Sequence, residues 1–133
     1  MKVRDLMHKD VRTIAPDASI AELVQALADS HVSGLPVVSP SGKVMGVVSA
    51  TDVLQAAAEK EDAKARSTMF DHMTVNDIMS TTPLVIAPDA EVQEAAQHML
   101  YTEVHRLFVE DNGRLVGVIS QTDIAHAVGL RRL

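Results

Sequence analysis

Seven residues occur twice in this chain. Gly46-Val47-Val48-Ser49-Ala50-Thr51-Asp52 returns as Gly117-Val118-Ile119-Ser120-Gln121-Thr122-Asp123. Two further stretches return with them, at an offset of about 72 residues. Val3-Arg4-Asp5-Leu6-Met7 is matched by Val75-Asn76-Asp77-Ile78-Met79, and Ile14-Ala15-Pro16-Asp17-Ala18 recurs unchanged at Ile86–Ala90. Past the turns at Gly42 and Gly113 the offset is one residue shorter. Repetition on this scale makes the chain two copies of one folding unit. A unit of about 55 residues buries too little surface to be stable alone, so the two copies are expected to pack on each other.

Composition narrows the function classes. With 133 residues and 47% hydrophobic side chains there is enough apolar material for a core, but aromatics are 2% and tryptophan is absent. Platforms on which single-stranded bases stack are therefore scarce. A net charge of −6 argues against binding a phosphate backbone, so no nucleic-acid partner is expected. The chain has no cysteine, which removes disulfides, thiolate metal sites and cysteine nucleophiles. His8, His31, His72, His98, His105 and His126 show neither His-x-x-x-His nor His-Glu-x-x-His spacing, and no metal is expected. No Walker loop, GxGxxG or nucleophile elbow is present. No apolar run is long enough to span a bilayer, and Met1-Lys2-Val3-Arg4-Asp5 lacks the apolar centre of a signal peptide. No membrane association and a cytoplasmic location are the expectation.

The pattern within each copy reads strand, helix, strand, strand, helix. Val11–Ile14 is a short extended run. Ser19 followed by Glu22 fits a capping box, and Ile20, Leu23, Val24 and Leu27 then recur at helical spacing. Pro36 in Leu35-Pro36-Val37-Val38 marks an edge or the start of a strand. Pro40-Ser41-Gly42-Lys43 is turn chemistry, and Val44–Val48 returns as the second strand. In the second copy Leu84-Val85-Ile86 is the first strand, and Val92, Ala95, Ala96, Met99 and Leu100 line the helix. Asn112-Gly113 is a strong hairpin signal, and Gly129 is expected to stop the last helix. The domains are then residues 1–56, a charged helical extension and linker at 57–74, and residues 75–133. The extension is read as a solvent-facing continuation of the helix before it.

The repeated stretch carries the chemistry. A strand ends, small residues bend the chain, and a helix begins, which gathers free N–H groups, hydroxyls and a carboxylate. Ser49 with Asp52, and Ser120 with Asp123, also fit a capping box worth about 1 kcal/mol that needs no ligand. Thr51 and Thr122 recur although a cap does not demand them, and the leading glycine permits close approach of another backbone or a ligand. A carboxylate can accept both hydrogen bonds of a vicinal diol. Both readings stand on spacing alone.

The two stretches resemble the Gly-hydrophobic-x-(Ser/Thr)-x-x-Asp signature of CBS domains, the family named after cystathionine beta-synthase. Ser33-Gly34-Leu35-Pro36-Val37-Val38, the paired Asp-Leu-Met and Asp-Ile-Met, and Ile-Ala-Pro-Asp-Ala fit as well. The resemblance covers both copies and implies an α+β fold: two β-α-β-β-α repeats packed through their sheets with pseudo-twofold symmetry, a Bateman module. It implies clefts between the repeats that take AMP, ADP, ATP or S-adenosylmethionine, with no cofactor required. Asp52 and Asp123 would grip ribose hydroxyls, with Ser49, Thr51, Ser120 and Thr122 beside ribose and phosphate. The backbones of Val32-Ser33-Gly34-Leu35 and Val104-His105-Arg106-Leu107 would hold adenine edges, Asp123 pairing with the former and Asp52 with the latter. His8 and Ser80 would line cleft walls. His105 and Arg106 are candidate phosphate contacts, with Arg4, Lys9 and Arg12 as nearby charge. Phe108 stands where the family pattern prefers proline, and Glu110 where it prefers an apolar residue, which makes the two sites unequal.

A regulatory module sensing an adenine nucleotide, and not an enzyme, is the reading this supports. Its partners would be the nucleotide, a second copy of the chain and a separate effector protein. A second copy would cover Val53, Leu54, Ile124 and Val128. The alternatives are a constitutive scaffold with empty clefts, an S-adenosylmethionine sensor, and a hydrolase of the bound nucleotide.

Overall fold

In the computed structural model, which describes residues 1–81 and 85–133, the chain runs α1 (Val3–Leu6), α2 (Ile20–Ser30), β1 (Gly34–Val38), β2 (Val44–Ser49), α3 (Ala50–Ala58), α4 (Ala63–His72), α5 (Val75–Ile78), β3 (Val85–Ile86), α6 (Val92–Thr102), β4 (Arg106–Asp111), β5 (Arg114–Ser120) and α7 (Gln121–Gly129). It is a mixed α+β fold. It divides into two compact units, Arg12–Pro83 and Met1–Val11 with Leu84–Leu133. None of the helices among the described residues is long and apolar enough to cross a membrane.

In the unit Arg12–Pro83, α2 begins where Ser19 Oγ accepts the Glu22 N–H at 3.0 Å. Only this serine half of the expected box forms among the described residues. Ile20, Leu23, Ala26 and Leu27 face inward at helical spacing. The helix ends on His31 in the left-handed region (φ 53°), and the Val32 N–H closes back on the Leu27 carbonyl at 3.3 Å. β1 and β2 form an antiparallel hairpin. The expected strand at Val11–Ile14 shrinks to one parallel bridge from Ile14 to Val37. Ile14 donates to the Pro36 carbonyl at 3.1 Å and accepts from the Val38 N–H at 2.9 Å. The preceding rung would need an N–H on Pro36, which proline lacks. Pro36 thus sits in mid-strand and ends the ladder on that side.

The charged segment after α3 departs from the expectation. The helix does not continue; it stops at Ala58, and Asp62 starts a separate helix by accepting the Ala65 N–H at 2.8 Å. Nor is α4 wholly solvent-facing. Met69 is 2% exposed and forms a small apolar cluster with Ile20 and Ala56.

The second unit repeats the plan with a longer ladder. β3 pairs parallel with β4, Val85 opposite Phe108 and Ile86 opposite Val109, and β4 pairs antiparallel with β5. Phe108 has the N–H that Pro36 lacks, and it is buried (5% exposed) between Val85 and Val118. Leu84, expected to open this strand, lies outside the described residues. Asn112 (φ 53°) and Gly113 (φ 76°) make a two-residue loop of type I′, as Asn-Gly predicts. α7 runs through Gly129, and the left-handed residue falls later, at Arg131 (φ 57°).

The repeated opening segments explain the unit boundaries. Val3 donates to the Ala90 carbonyl (2.9 Å) and Arg4 to the Pro88 carbonyl (3.0 Å). Val75 donates to Ala18 (2.8 Å) and Asn76 to Pro16 (2.9 Å). Each Ile-Ala-Pro-Asp-Ala stretch therefore receives the opening helix of the other repeat. Val3 and Val75 are both 0% exposed. Val3 packs with Val92, Met99, Leu107 and Ile119, whereas Val75 packs with Leu23, Leu35, Val37 and Val48. Further along each arm, His8 exchanges two backbone hydrogen bonds with Val118 on β5, and Ser80 exchanges two with Val47 on β2. This close approach accounts for the signature glycines. A Cβ on Gly117 would lie 2.8 Å from the His8 carbonyl oxygen, and one on Gly46 would overlap the Ser80 carbonyl. The glycines make room for backbone.

Candidate functional site

β2 leads straight into α3, and β5 into α7, with no loop residue between. Ser49 (φ −134°, ψ 168°) and Ser120 (φ −118°, ψ 163°) are the extended caps. The bend after each is pinned by the residue just before the hairpin's first strand: Ala50 N–H donates to the Ser33 carbonyl at 2.8 Å, and Gln121 N–H to the His105 carbonyl at 2.9 Å. Gln121 Nε2 also donates to the Val104 carbonyl at 3.1 Å.

Both capping boxes form. Ser49 Oγ accepts the Asp52 N–H at 3.3 Å, and Asp52 Oδ2 accepts from Ser49 N–H at 2.8 Å and from Ser49 Oγ at 3.1 Å. Ser120 Oγ accepts the Asp123 N–H at 3.1 Å, and Asp123 Oδ2 accepts the Ser120 N–H at 2.9 Å. Each box thus uses one carboxylate oxygen, Oδ2. Among the described residues Asp52 Oδ1 makes no hydrogen bond, and Asp123 Oδ1 meets His8 Nε2 at 2.7 Å. Thr51 and Thr122 stand exposed in the first helical turns. Capping explains the serines and half of each carboxylate; it leaves the second oxygen and the threonines.

In front of Asp123 lies a cleft of about 330 Å³, lined by Asp5, Leu6, His8, Thr122, Asp123, His126 and Arg132. Hollows of about 480 Å³ beside α4 and about 470 Å³ beside Pro40 are larger, but neither is lined by a residue of the repeated signature. Chemistry rather than size singles out the smaller one. Its Asp5 carboxylate accepts the Lys2 N–H at 2.8 Å. His126 follows Thr122 by one helical turn, a spacing that could have marked it in the sequence. Asp5 belongs to the repeated opening segment, with Asp77 as its counterpart, whereas nothing in the local pattern marks Arg132.

Burial acts to raise the Asp123 pKa, but the hydrogen bonds from His8 and from the backbone and hydroxyl of Ser120, with the charge of His8, outweigh it. The net shift is downward. A carboxyl held below its usual range contributes stability above that range and loses it as pH falls through the folded value. We expect wild type to exceed Asp123→Asn in urea stability at neutral pH, with the gap closing in the acid range below ordinary aspartate titration. Parallel profiles down to that range would contradict the shift.

The remaining expected site residues divide by role. Leu35 (2% exposed) and Leu107 (0%) put their side chains into the cores, so only their backbones could reach a ligand. Gly34 and Arg106 lie opposite Ser49 and Ser120 in their hairpins. Val32, Ser33, His105 and Arg106 are exposed, but the N–H groups of Val32 and Val104 close α2 and α6. Arg106 makes no ion pair among the described residues, whereas Arg4 pairs with Asp89. Ser80 is held by its backbone alone. Among the described residues no three His, Cys, Asp or Glu side chains gather as a metal site.

A model of the CBS domain matches residues 3–59 and again 75–130. Inosine-5'-monophosphate dehydrogenase of Methanocaldococcus jannaschii is 32% identical over 92% of this chain, which spans 23% of that enzyme. The chain likewise spans 42% and 59% of two other curated relatives. Among solved structures, CBSX2 in complex with AMP superposes with a TM-score of 0.80 at 29% identity, covering 99% of this chain and 98% of that one. The CBS domain pair of protein MJ0100, in complex with 5'-methylthioadenosine and S-adenosyl-L-methionine, gives 0.76 at 25% identity, covering 97% and 100%.

Proposed function

The chain belongs to the CBS-domain family, and on that premise we propose that it is a regulatory module that binds an adenosine-containing ligand at its two acidic helix entrances. AMP, ADP or ATP is the favoured ligand. The observation that carries this reading is the division of labour on each aspartate: Oδ2 is committed to the cap, while Oδ1 is not needed by it. A ribose diol is a fitting partner for such an oxygen with a threonine beside it. The molecules bound by CBSX2 and by the MJ0100 pair share adenosine and differ beyond it, which supports the class of ligand and leaves the member open.

What each entrance offers supports regulation rather than catalysis. Hydrolysis of a bound nucleotide needs a positioned base and metal-binding carboxylates around one phosphate. Each signature aspartate already gives one oxygen to its own helix. The output is a shift in conformation or association, limited by the ligand's difference in affinity between two states. Pairing with a second copy is part of this proposal. Val53 and Ile124 are turned into the cores, so Leu54 (70% exposed) on α3 and Val128 (53%) on α7 are the members of the expected apolar set left to cover. A separate effector would receive the signal.

A thermal-shift panel tests the reading. At about 100 times its dissociation constant a ligand adds about 2.7 kcal/mol, several degrees in a domain of this size. We expect such a rise with at least one of AMP, ADP, ATP and S-adenosylmethionine. No rise with any of them favours a scaffold, and a new product on chromatography favours an enzyme; either result contradicts the proposal.

A further inference from the structure

His8 and Ser80 occupy equivalent places in the two repeats and make the same pair of backbone bonds to the adjoining strand. Their side chains differ in reach. Every hydrogen bond to the Asp52 carboxylate among the described residues comes from Ser49. Asp123, by contrast, has His8 Nε2 at 2.7 Å from Oδ1, the oxygen its cap leaves over. Among the described residues the oxygen that each cap leaves over meets no donor at Asp52 and meets an imidazole at Asp123. A diol that seeks Asp123 Oδ1 must first move the imidazole, and a displaced donor beside a carboxylate needs a new acceptor.

The surrounding cleft determines which ligands supply one. Besides His8 it presents His126, Arg132 and Thr122 as donors. Asp5 opposes an anion there, but its carboxylate is engaged by the Lys2 N–H. A phosphate would give the displaced imidazole its acceptor and meet Arg132 and His126 in the same space. The neutral thioether of 5'-methylthioadenosine would give it none.

Resting on the ribose reading above, we propose that His8 makes the Asp123 entrance selective for adenosine ligands that carry a 5'-phosphate, while the Asp52 entrance, with Ser80 at the matching place, makes no such demand. His8 gives up Asp123 for the phosphate as the ribose takes Oδ1.

The test uses AMP and 5'-methylthioadenosine, which share adenine and ribose and differ in the phosphate. Calorimetry on Asp52→Ala isolates the Asp123 entrance. There AMP is expected to bind at least about tenfold more tightly than methylthioadenosine, the order of one charge-assisted bond. Adding His8→Ser should narrow that ratio by about threefold or more, with Arg132 and His126 keeping a residual preference for the phosphate. Serine is compatible with that backbone bridge, because Ser80 makes it in the other repeat. The reciprocal variant, Ser80→His in Asp123→Ala, should impose the same preference on the Asp52 entrance and keeps the test decisive if His8→Ser misfolds. A ratio indifferent to residue 8 and residue 80, in variants that still bind AMP, overturns the role of His8 alone. Absence of binding by wild type, or binding unaltered by either aspartate change, overturns the ribose reading and this inference with it.

Discussion

Deleting residues 1–9 is expected to unfold β4 and β5, far along the chain, before it disturbs β1 and β2, which the deleted segment precedes. The arm supplies Val3 and its neighbours Leu6 and Met7 to the core that holds Val92, Met99, Leu107 and Ile119. It also makes five backbone hydrogen bonds to that unit: Val3 to Ala90, Arg4 to Pro88, Val92 to Met1, and the pair between His8 and Val118. At about 1 kcal/mol per bond and about 2 kcal/mol per buried apolar side chain, the loss is on the order of 5 kcal/mol or more. That is comparable with the whole stability of a small domain. Hydrogen exchange should show protection lost first at Leu107–Ile119. Val3→Ala, a milder form, should lower stability by about 2 kcal/mol with the same bias. Equal loss in both units, or loss led by Leu35–Val48, would refute the exchange of arms.

The second large effect is on binding. Asp52→Ala and Asp123→Ala should each weaken adenosine-ligand binding at its own entrance about a hundredfold or more, because two charge-assisted bonds of about 1.5–3 kcal/mol each disappear. Each should also reduce stability by about 1 kcal/mol, since the box goes with the carboxylate. The two readouts separate capping from capture. If the aspartates served only their helices, both variants would melt earlier while calorimetry with AMP stayed as in wild type.

What could be read from the sequence was what local chemistry determines. Ser19 starts α2, Asn112-Gly113 turns the second hairpin, and serine with aspartate three residues on marks both helix entrances. The segment after α3 misled because its charged helix formers hide a restart, and Asp62 is recognisable as a cap only when its side chain is seen on Ala65. The exchange of arms had no local sign, since the bond from Val3 to Ala90 depends on chain path and not on spacing. The recurrence of Ile-Ala-Pro-Asp-Ala was the trace it left. At the site, spacing located the carboxylates but left capping and ligand capture undivided; the structure shows that each cap uses one carboxylate oxygen, Oδ2. His8 was placed at the cleft wall; its grip on Asp123, 115 residues away, was beyond any periodic pattern. The Phe108 departure has a consequence for the strands, because it restores the N–H that Pro36 removes.

The central claim is that the spare carboxylate oxygens hold ribose hydroxyls. Calorimetric comparison of AMP with 2',3'-dideoxy-AMP on the wild-type chain tests it most directly. The dideoxy compound keeps adenine and phosphate and removes only the groups said to meet Asp52 and Asp123. It should bind about a hundredfold more weakly or not at all. Equal affinity for the two nucleotides would contradict the claim, and would leave the paired aspartates as nothing more than the caps of α3 and α7.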